Sequence, residues 1–140
     1  MHSLVRWFLA AGFGTFAATA QALDFSIAPD ISGGFGNYKW SVSIKGAFAV
    51  ANPPLYLRRG AVYSLAVGTD ANHPFWIKTA DSIGSANRYD AGVSANGVTT
   101  FATITFNVPT DAPDSLHYNC GNHAEMHGPI NVVIFRDGFN

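Results

Sequence analysis

Cysteine and clustered basic residues are the scarcest features of this 140-residue chain. It has one cysteine, two methionines, and eight lysines and arginines that leave a formal net charge of -1. The single adjacent basic pair is Arg58-Arg59. The sequence therefore offers no basic patch for nucleic acid or for an acidic membrane surface, and its weak negative charge slightly favours a basic protein partner.

Long helical patterns are also absent, since no window carries an apolar stripe at helical spacing. Short segments rich in β-branched and aromatic residues alternate with turn sequences such as "SGGFGN" and "PTDAPDS". The predicted strands cover residues 24–27, 38–44, 47–51, 55–58, 61–67, 75–78, 99–108, 116–120 and 130–135. This spacing predicts an all-β domain of about seven to nine strands, built as a two-sheet sandwich or a small barrel.

The first 22 residues have a different character from the rest. Arg6 precedes an apolar run over residues 7–20, and Ala20-Gln21-Ala22 has the small-x-small form of a signal cleavage site. The run is shorter than the roughly 20 apolar residues of a membrane span. We therefore predict a secretory signal peptide at residues 1–22, a mature domain at residues 23–140 without a membrane span, and a periplasmic or secreted location.

The lone cysteine is unusual in a chain predicted to be exported, because oxidising compartments favour paired thiols. Such a cysteine forms an intermolecular bridge, serves a function, or is an inert buried residue. It lies in "YNCGNHAEMHG", residues 118–128, where Cys120, His123, Met126 and His127 fall within eight residues. Strand alternation predicts that Cys120 faces inward and that His117 faces solvent.

A second imidazole is available from His73, in "TDANHPFWIK", 47 residues before Cys120. A thiolate, imidazoles and a distant thioether form the ligand set of a blue-copper electron-transfer site. The alternative axial ligand is His127, since imidazoles suit Cu(II) or Zn(II) better than a thioether does. The predicted metal ligands are His73, Cys120, His123 and, in the axial position, Met126.

The stretch "YNCGNHAEMHG" resembles the ligand loop of the cupredoxins, the family of plastocyanin, pseudoazurin and amicyanin. Its Cys-x-x-His-x-x-Met spacing is the short form, most similar to that of amicyanin. The upstream histidine, an aromatic residue two before the cysteine and the final strand "INVVIF" follow in the same order. The resemblance, over residues 23–135, implies a Greek-key β-sandwich with one copper ion, and a monomer that carries single electrons between redox partner proteins.

The resemblance also implies that electrons leave through the imidazole of His123, within an exposed apolar patch formed by Pro74, Phe75, Met126 and Pro129. One position departs from the family. An asparagine often follows the upstream histidine and ties the two ligand loops together, whereas this chain has Pro74 there. The tie is then expected from Asn72, Asn119 or Asn122.

Other functions would account for fewer of these residues. A periplasmic copper carrier or store would need no other ligands, but the chain lacks histidine- and methionine-rich tracts. A hydrolase with Cys120 and His73 as nucleophile and base has no supporting signature, and a catalytic zinc site would leave Met126 without a role. A multicopper oxidase needs many more than the four histidines of residues 23–140. We therefore predict a protein that is not an enzyme.

Two further features complete the sequence-based expectations. Residues 81–97, "DSIGSANRYDAGVSANG", are polar and Gly-rich, which predicts a long loop of the kind that is often functional. The aromatic residues expected in the core are Trp40, Trp76, Phe101, Phe106 and Tyr118.

Overall fold

The computed structural model describes residues 24–134. The predicted signal peptide lies outside the described residues, as does residue 135 at the end of the last predicted strand. Nine strands account for the regular structure of the described range: β1 (Phe25–Asp30), β2 (Lys39–Ile44), β3 (Val50–Ala51), β4 (Leu55–Arg58), β5 (Val62–Val67), β6 (Phe75–Lys78), β7 (Ala102–Asn107), β8 (Ser115–Cys120) and β9 (His127–Val133). Between residues 24 and 134 there is no helix long and apolar enough to cross a membrane.

The strands form two sheets, and the prediction of an all-β sandwich is confirmed. One sheet has the order β3-β2-β1-β5-β7, and the other has the order β4-β9-β8-β6. The pairs β1–β5 and β4–β9 are parallel, whereas the other neighbours are antiparallel. After β3 the chain passes repeatedly between the sheets, so residues distant in sequence meet at each end of the sandwich.

Every predicted strand overlaps an observed one, and the main difference is at β9. This strand begins at His127, whereas the prediction began it at Ile130, because Gly128 and Pro129 pair with Tyr118 and His117 of β8. A Cβ atom at Gly128 would overlap the phenol of Tyr118. The glycine therefore allows the Tyr118 ring to pack closely on the sheet. Glycine is also common in turns, and for that reason the sequence predicted a turn at this position.

Alternation along the strands explains the core. In β7, Ile104 and Phe106 are fully buried, whereas Thr103, Thr105 and Asn107 are exposed. Phe101 belongs to the outward series and is 71% exposed, so its assignment to the core was wrong. Trp76 is half-buried. The remaining predicted core aromatics are buried, namely Trp40, Phe106 and Tyr118.

Residues 79–101 connect β6 to β7, the edge strands of the two sheets. On the β6 side, Tyr89 N donates to Ile77 O at 2.9 Å, and on the β7 side Asn107 N donates to Gly92 O at 2.8 Å. Gly92 has a φ of 75°, and an added Cβ atom there would overlap the carbonyl of Asn107. The predicted loop is thus a cover for two strand edges that would otherwise expose unpaired backbone groups.

Tyr118 links the stability of the fold to pH. Its buried hydroxyl donates to Pro53 O at 2.7 Å, and burial raises the pKa of the phenol above its ordinary value of 10.0. Because the pKa is raised in the folded state, this contribution to stability is complete below about pH 10 and is lost as the pH rises above it. We expect the free energy of unfolding, measured by chemical denaturation, to fall as the pH rises from about 10 to about 11 and to fall less in Tyr118→Phe. An equal fall in Tyr118→Phe, with the exposed Tyr56→Phe as control, would contradict this assignment.

Candidate metal centre

The pairing of β6 with β8 brings two of the predicted ligands to one end of the sandwich. Cys120 is the last residue of β8, and its partner in the antiparallel register is Phe75, the first residue of β6. His73 lies two residues before β6. The other two predicted ligands, His123 and Met126, lie in the loop between β8 and β9.

Cys120 and His123 are in direct contact. The Sγ atom of Cys120 lies 3.6 Å from Nδ1 of His123, and the backbone N–H of Asn122 points at the same sulfur at 3.5 Å. Sulfur and nitrogen ligands that share one ion in tetrahedral geometry lie about 3.6 Å apart, given the bond lengths typical of zinc. The observed separation therefore suits two ligands of one ion as well as a thiol–imidazole hydrogen bond.

The thiol of Cys120 is fully buried. Burial raises its pKa, and the backbone N–H groups of Asn122 and His123 partly oppose that rise. A buried neutral thiol resists oxidation and disulfide exchange, which need the thiolate. A cation that binds here would displace the proton, since a metal binds the thiolate form.

The imidazole of His73 is oriented by Asp70. Its Nδ1 atom donates to Oδ1 of Asp70 at 3.0 Å, and this hydrogen bond holds the pKa of the Asp70 carboxyl below its ordinary value. The same carboxylate oxygen also accepts from the backbone N–H of Asn72 at 2.8 Å. Nε2 of His73 is buried and has no hydrogen-bond partner within residues 24–134. A buried nitrogen with a free lone pair, opposite a carboxylate-bound N–H, is the arrangement typical of a metal-ligating histidine.

Tyr38 contributes a contact that the sequence did not reveal. The imidazoles of His73 and His123 stack with their centroids 4.9 Å apart and their planes at 27°. The Tyr38 ring meets His123 edge-on at 5.0 Å and His73 at 5.7 Å. Tyr38 comes just before β2, far from both histidines in sequence, and no local pattern marks it as a neighbour of the site.

Met126 and His127 have different environments. Met126 is fully buried, and its carbonyl accepts from Cys120 N at 2.8 Å and from Trp40 Nε1 at 3.0 Å. The His127 side chain is 41% exposed, and its Nδ1 lies 3.1 Å from Oδ2 of Asp81. Met126 therefore belongs to the core beside Cys120, whereas the imidazole of His127 is turned toward Asp81 at the surface.

The two ligand loops are tied together despite the proline that follows His73. Of the three asparagines considered, Asn122 makes the tie, donating from Nδ2 to Asn72 O at 2.9 Å. A backbone bond from Gly121 N to Pro74 O at 2.8 Å strengthens it. Asn119 instead donates its side-chain amide to Asp81.

Three of the four predicted ligands are neighbours at this end of the sandwich. In the range 24–134, no three histidine, cysteine, aspartate or glutamate side chains form a group with metal-binding spacing. Cys120 and His123 meet directly, and His73 joins them by stacking on the ring of His123.

The expected apolar exit patch around His123 needs correction. Phe75 and Met126 are fully buried, because both side chains belong to the core. Pro129 is exposed and Pro74 is half-buried. Phe35 is 87% exposed and packs edge-on at 6.3 Å against Tyr38, whose ring contacts both imidazoles.

The two packed sheets, with the loops that carry His73, Cys120 and His123 at one end, form a cupredoxin fold. A structure of a rusticyanin variant superposes with a TM-score of 0.51 at 19% sequence identity, covering 78% of this chain and 76% of the other. Rusticyanin from Thiobacillus ferrooxidans superposes with a TM-score of 0.49 at 19% identity, covering 78% and 75% of the two chains. A multicopper oxidase from the hyperthermophile Aquifex aeolicus gives 0.41 at 14% identity, with 78% of this chain covering 26% of that one.

No protein-family model matches the sequence, and no curated protein matches it significantly. The structural similarity to the rusticyanin variant confirms the resemblance to the cupredoxins at the level of the fold.

Proposed function

We propose that this protein is a periplasmic or secreted type 1 copper protein that carries single electrons between redox partner proteins. One observation carries the proposal. The buried Sγ of Cys120 lies 3.6 Å from Nδ1 of His123, and the adjacent His73 keeps a buried, unpartnered Nε2 within residues 24–134. These three residues have the spacing typical of a cupredoxin ligand set.

His73, Cys120, His123 and Met126 would hold one copper ion, which supplies a one-electron couple between Cu(II) and Cu(I). The protein contributes orientation and exclusion of water. Asp70 holds the N–H of His73 so that the other nitrogen is free to bind. The fully buried Cys120 and Met126 keep solvent away from the sulfur ligands.

Electron transfer suits this site better than catalysis does. Four protein ligands would leave no position at which a substrate could bind. A rigid site also limits the reorganisation that accompanies a change of charge. The ties between the two ligand loops, from Asn122 to Asn72 and from Gly121 to Pro74, provide that rigidity.

A copper carrier would use the same ligands but would have to release its ion. The backbone of Met126 is held by Cys120 and Trp40, and its side chain is fully buried. Such a constrained ligand favours retention of the ion over its exchange. The carrier is therefore the competing outcome in the test that follows.

The test adds Cu(II) to the purified protein and records the visible spectrum, then compares electron self-exchange with transfer of copper to a chelator. An intense blue band with fast self-exchange and slow copper loss is the expected result. A colourless copper complex would exclude the electron carrier, and rapid transfer of Cu(I) with slow self-exchange would identify a carrier of copper.

The variant Met126→Leu tests the axial position. Leucine preserves the packing volume, so the fold should lose less than about 1.5 kcal/mol. We expect copper to remain bound by the other three residues, while the reduction potential and the shape of the blue band change, because the axial ligand tunes both. Voltammetry and absorption spectroscopy measure these changes. An unchanged potential in Met126→Leu, together with an altered one in His127→Gln, would assign the axial position to His127.

A further inference from the structure

Lys78 is a buried cation that the proposed ligand set does not use. It ends β6 with 0% of its surface exposed. Its ammonium donates to Ser82 O at 2.5 Å, to Gly84 O at 2.6 Å and to the hydroxyl of Ser82 at 3.3 Å. Lysine is rarely buried fully unless it is paired, so this position needs a reason. We refer to residues 78–84 as the lysine clasp.

The lysine clasp touches both ends of the ligand loop. The Asp81 carboxylate accepts from the side-chain amide of Asn119, the residue before Cys120. Its other oxygen lies 3.1 Å from Nδ1 of His127, the residue after Met126. One carboxylate thus joins the start and the end of the loop that carries three of the four proposed ligands.

A third contact reaches the middle of the same region. Gly84 N donates to Gly121 O at 2.7 Å, directly after Cys120. Lys78 binds the carbonyl of that same Gly84. The ammonium therefore shapes the turn whose backbone supports the ligand loop.

Anchoring of the long β6–β7 connection does not require this lysine. Asn96 already holds the connection to β6, because its side chain accepts from Ile77 N at 2.8 Å and donates to Ile77 O at 2.9 Å. It also donates to Tyr89 O at 2.9 Å. The buried charge therefore serves the part of the connection that faces the ligand loop.

Burial lowers the pKa of the Lys78 ammonium, and the negative charge of Asp81 opposes that change. The clasp thus holds two opposite charges close to the proposed copper ligands. A positive charge near the site disfavours the more positive, oxidised state, whereas a negative charge favours it. Their effects on a reduction potential have opposite signs.

We propose that Lys78 and Asp81 are positioning residues of the metal centre, which hold the ligand loop from outside and set its potential through their charges. The potential depends on the proposed copper function. The effect of Lys78 and Asp81 on the ligand loop does not depend on that function, because local opening of the loop can be measured in the copper-free protein.

The first experiment measures the reaction of Cys120 with an aromatic disulfide reagent in the copper-free protein. The buried thiol reacts when the loop opens locally. Loss of a charge-assisted hydrogen bond should make the reaction about tenfold faster in Lys78→Met and in Asp81→Ala. Asp81→Asn keeps an oxygen acceptor for Asn119 and should react more slowly than Asp81→Ala.

Matched controls make the same changes far from the site. Lys45→Met alters an exposed lysine in the turn after β2, and Asp111→Ala alters an exposed aspartate before β8, at the opposite end of that strand from Cys120. Both should react at the wild-type rate. Wild-type rates in both clasp variants would overturn the proposal, and if Lys78→Met fails to fold, the comparison of Asp81→Ala with Asp81→Asn decides it.

The second experiment measures the reduction potential of the copper-loaded proteins. Lys78→Met should lower the potential and Asp81→Asn should raise it, while the controls leave it unchanged. Shifts of the same sign, or no shifts, would show that the charges of Lys78 and Asp81 do not set the potential. A looser ligand loop alone would not shift the potential in opposite directions in the two variants. Absence of a blue band in the wild-type protein would refute the proposed function, and the thiol rates would still decide whether the clasp positions the loop.

Discussion

Cys120→Ser is expected to abolish the intense blue absorption of the copper-loaded protein. Serine has nearly the same shape as cysteine but presents a hydroxyl that stays protonated at neutral pH. The soft thiolate selects copper and defines the blue site. Because Cys120 is the single cysteine of the chain, no second thiolate can replace it.

The measurement compares visible spectra after addition of one equivalent of Cu(II). His117→Ala is the matched control, since it removes a histidine from the same strand while the burial pattern directs Leu116, Tyr118 and Cys120 to the core. The control should keep the full band. A blue band that survives in Cys120→Ser would show that the chromophore does not involve this thiolate and would refute the proposed ligand set.

Trp40→Ala is expected to have the largest effect on stability. Trp40 is fully buried in β2, packs edge-on against Phe75 at 5.2 Å and donates from Nε1 to Met126 O at 3.0 Å. Removal of a buried tryptophan typically lowers the free energy of unfolding by about 3–5 kcal/mol. The total stability of a domain is about 5–15 kcal/mol, so this variant should approach the limit of folding.

Two further variants separate packing from hydrogen bonding in this prediction. Trp40→Phe retains much of the buried ring but loses the bond to Met126 O, which still accepts from Cys120 N, so it should lose only part of the packing energy plus about 1 kcal/mol. Phe48→Ala removes an aromatic ring that is 98% exposed and should change stability by less than about 0.5 kcal/mol. Chemical denaturation measures all three. Equal losses in Trp40→Ala and Phe48→Ala would contradict the proposed role of Trp40.

The positions of the strands followed from local sequence patterns. All nine predicted strands were found. Strands such as β4 and β7 alternate between buried and exposed residues, a pattern that is visible without knowledge of their partners. The strands β3, β5 and β6 do not alternate regularly, and their β-branched and aromatic residues between turn sequences marked them instead. The errors have the same local origin. Phe101 was placed in the core for its residue type, although it lies on the outward side of β7. Gly128 was taken for a turn residue, although it pairs with Tyr118 within the sheet.

Candidate ligands were visible in the sequence where they were close together in the chain. The contact between Cys120 and His123 is the one that their spacing predicted, since a tight turn joins residues three apart. The inward direction of Cys120 followed from its strand. The sequence suggested several asparagines for the tie between the loops, and the contact of Asn122 with Asn72 identified one of them.

The chain by itself therefore determined the all-β class, the strand positions and the residue types of the candidate copper site, because those properties depend on neighbours within a few positions. The tertiary structure decided which distant residues surround that site. Tyr38 meets both imidazoles, Asp70 orients His73, and Lys78 with Asp81 supports the ligand loop. These contacts join segments on different strands and loops, and the pairing and packing of the two sheets set them.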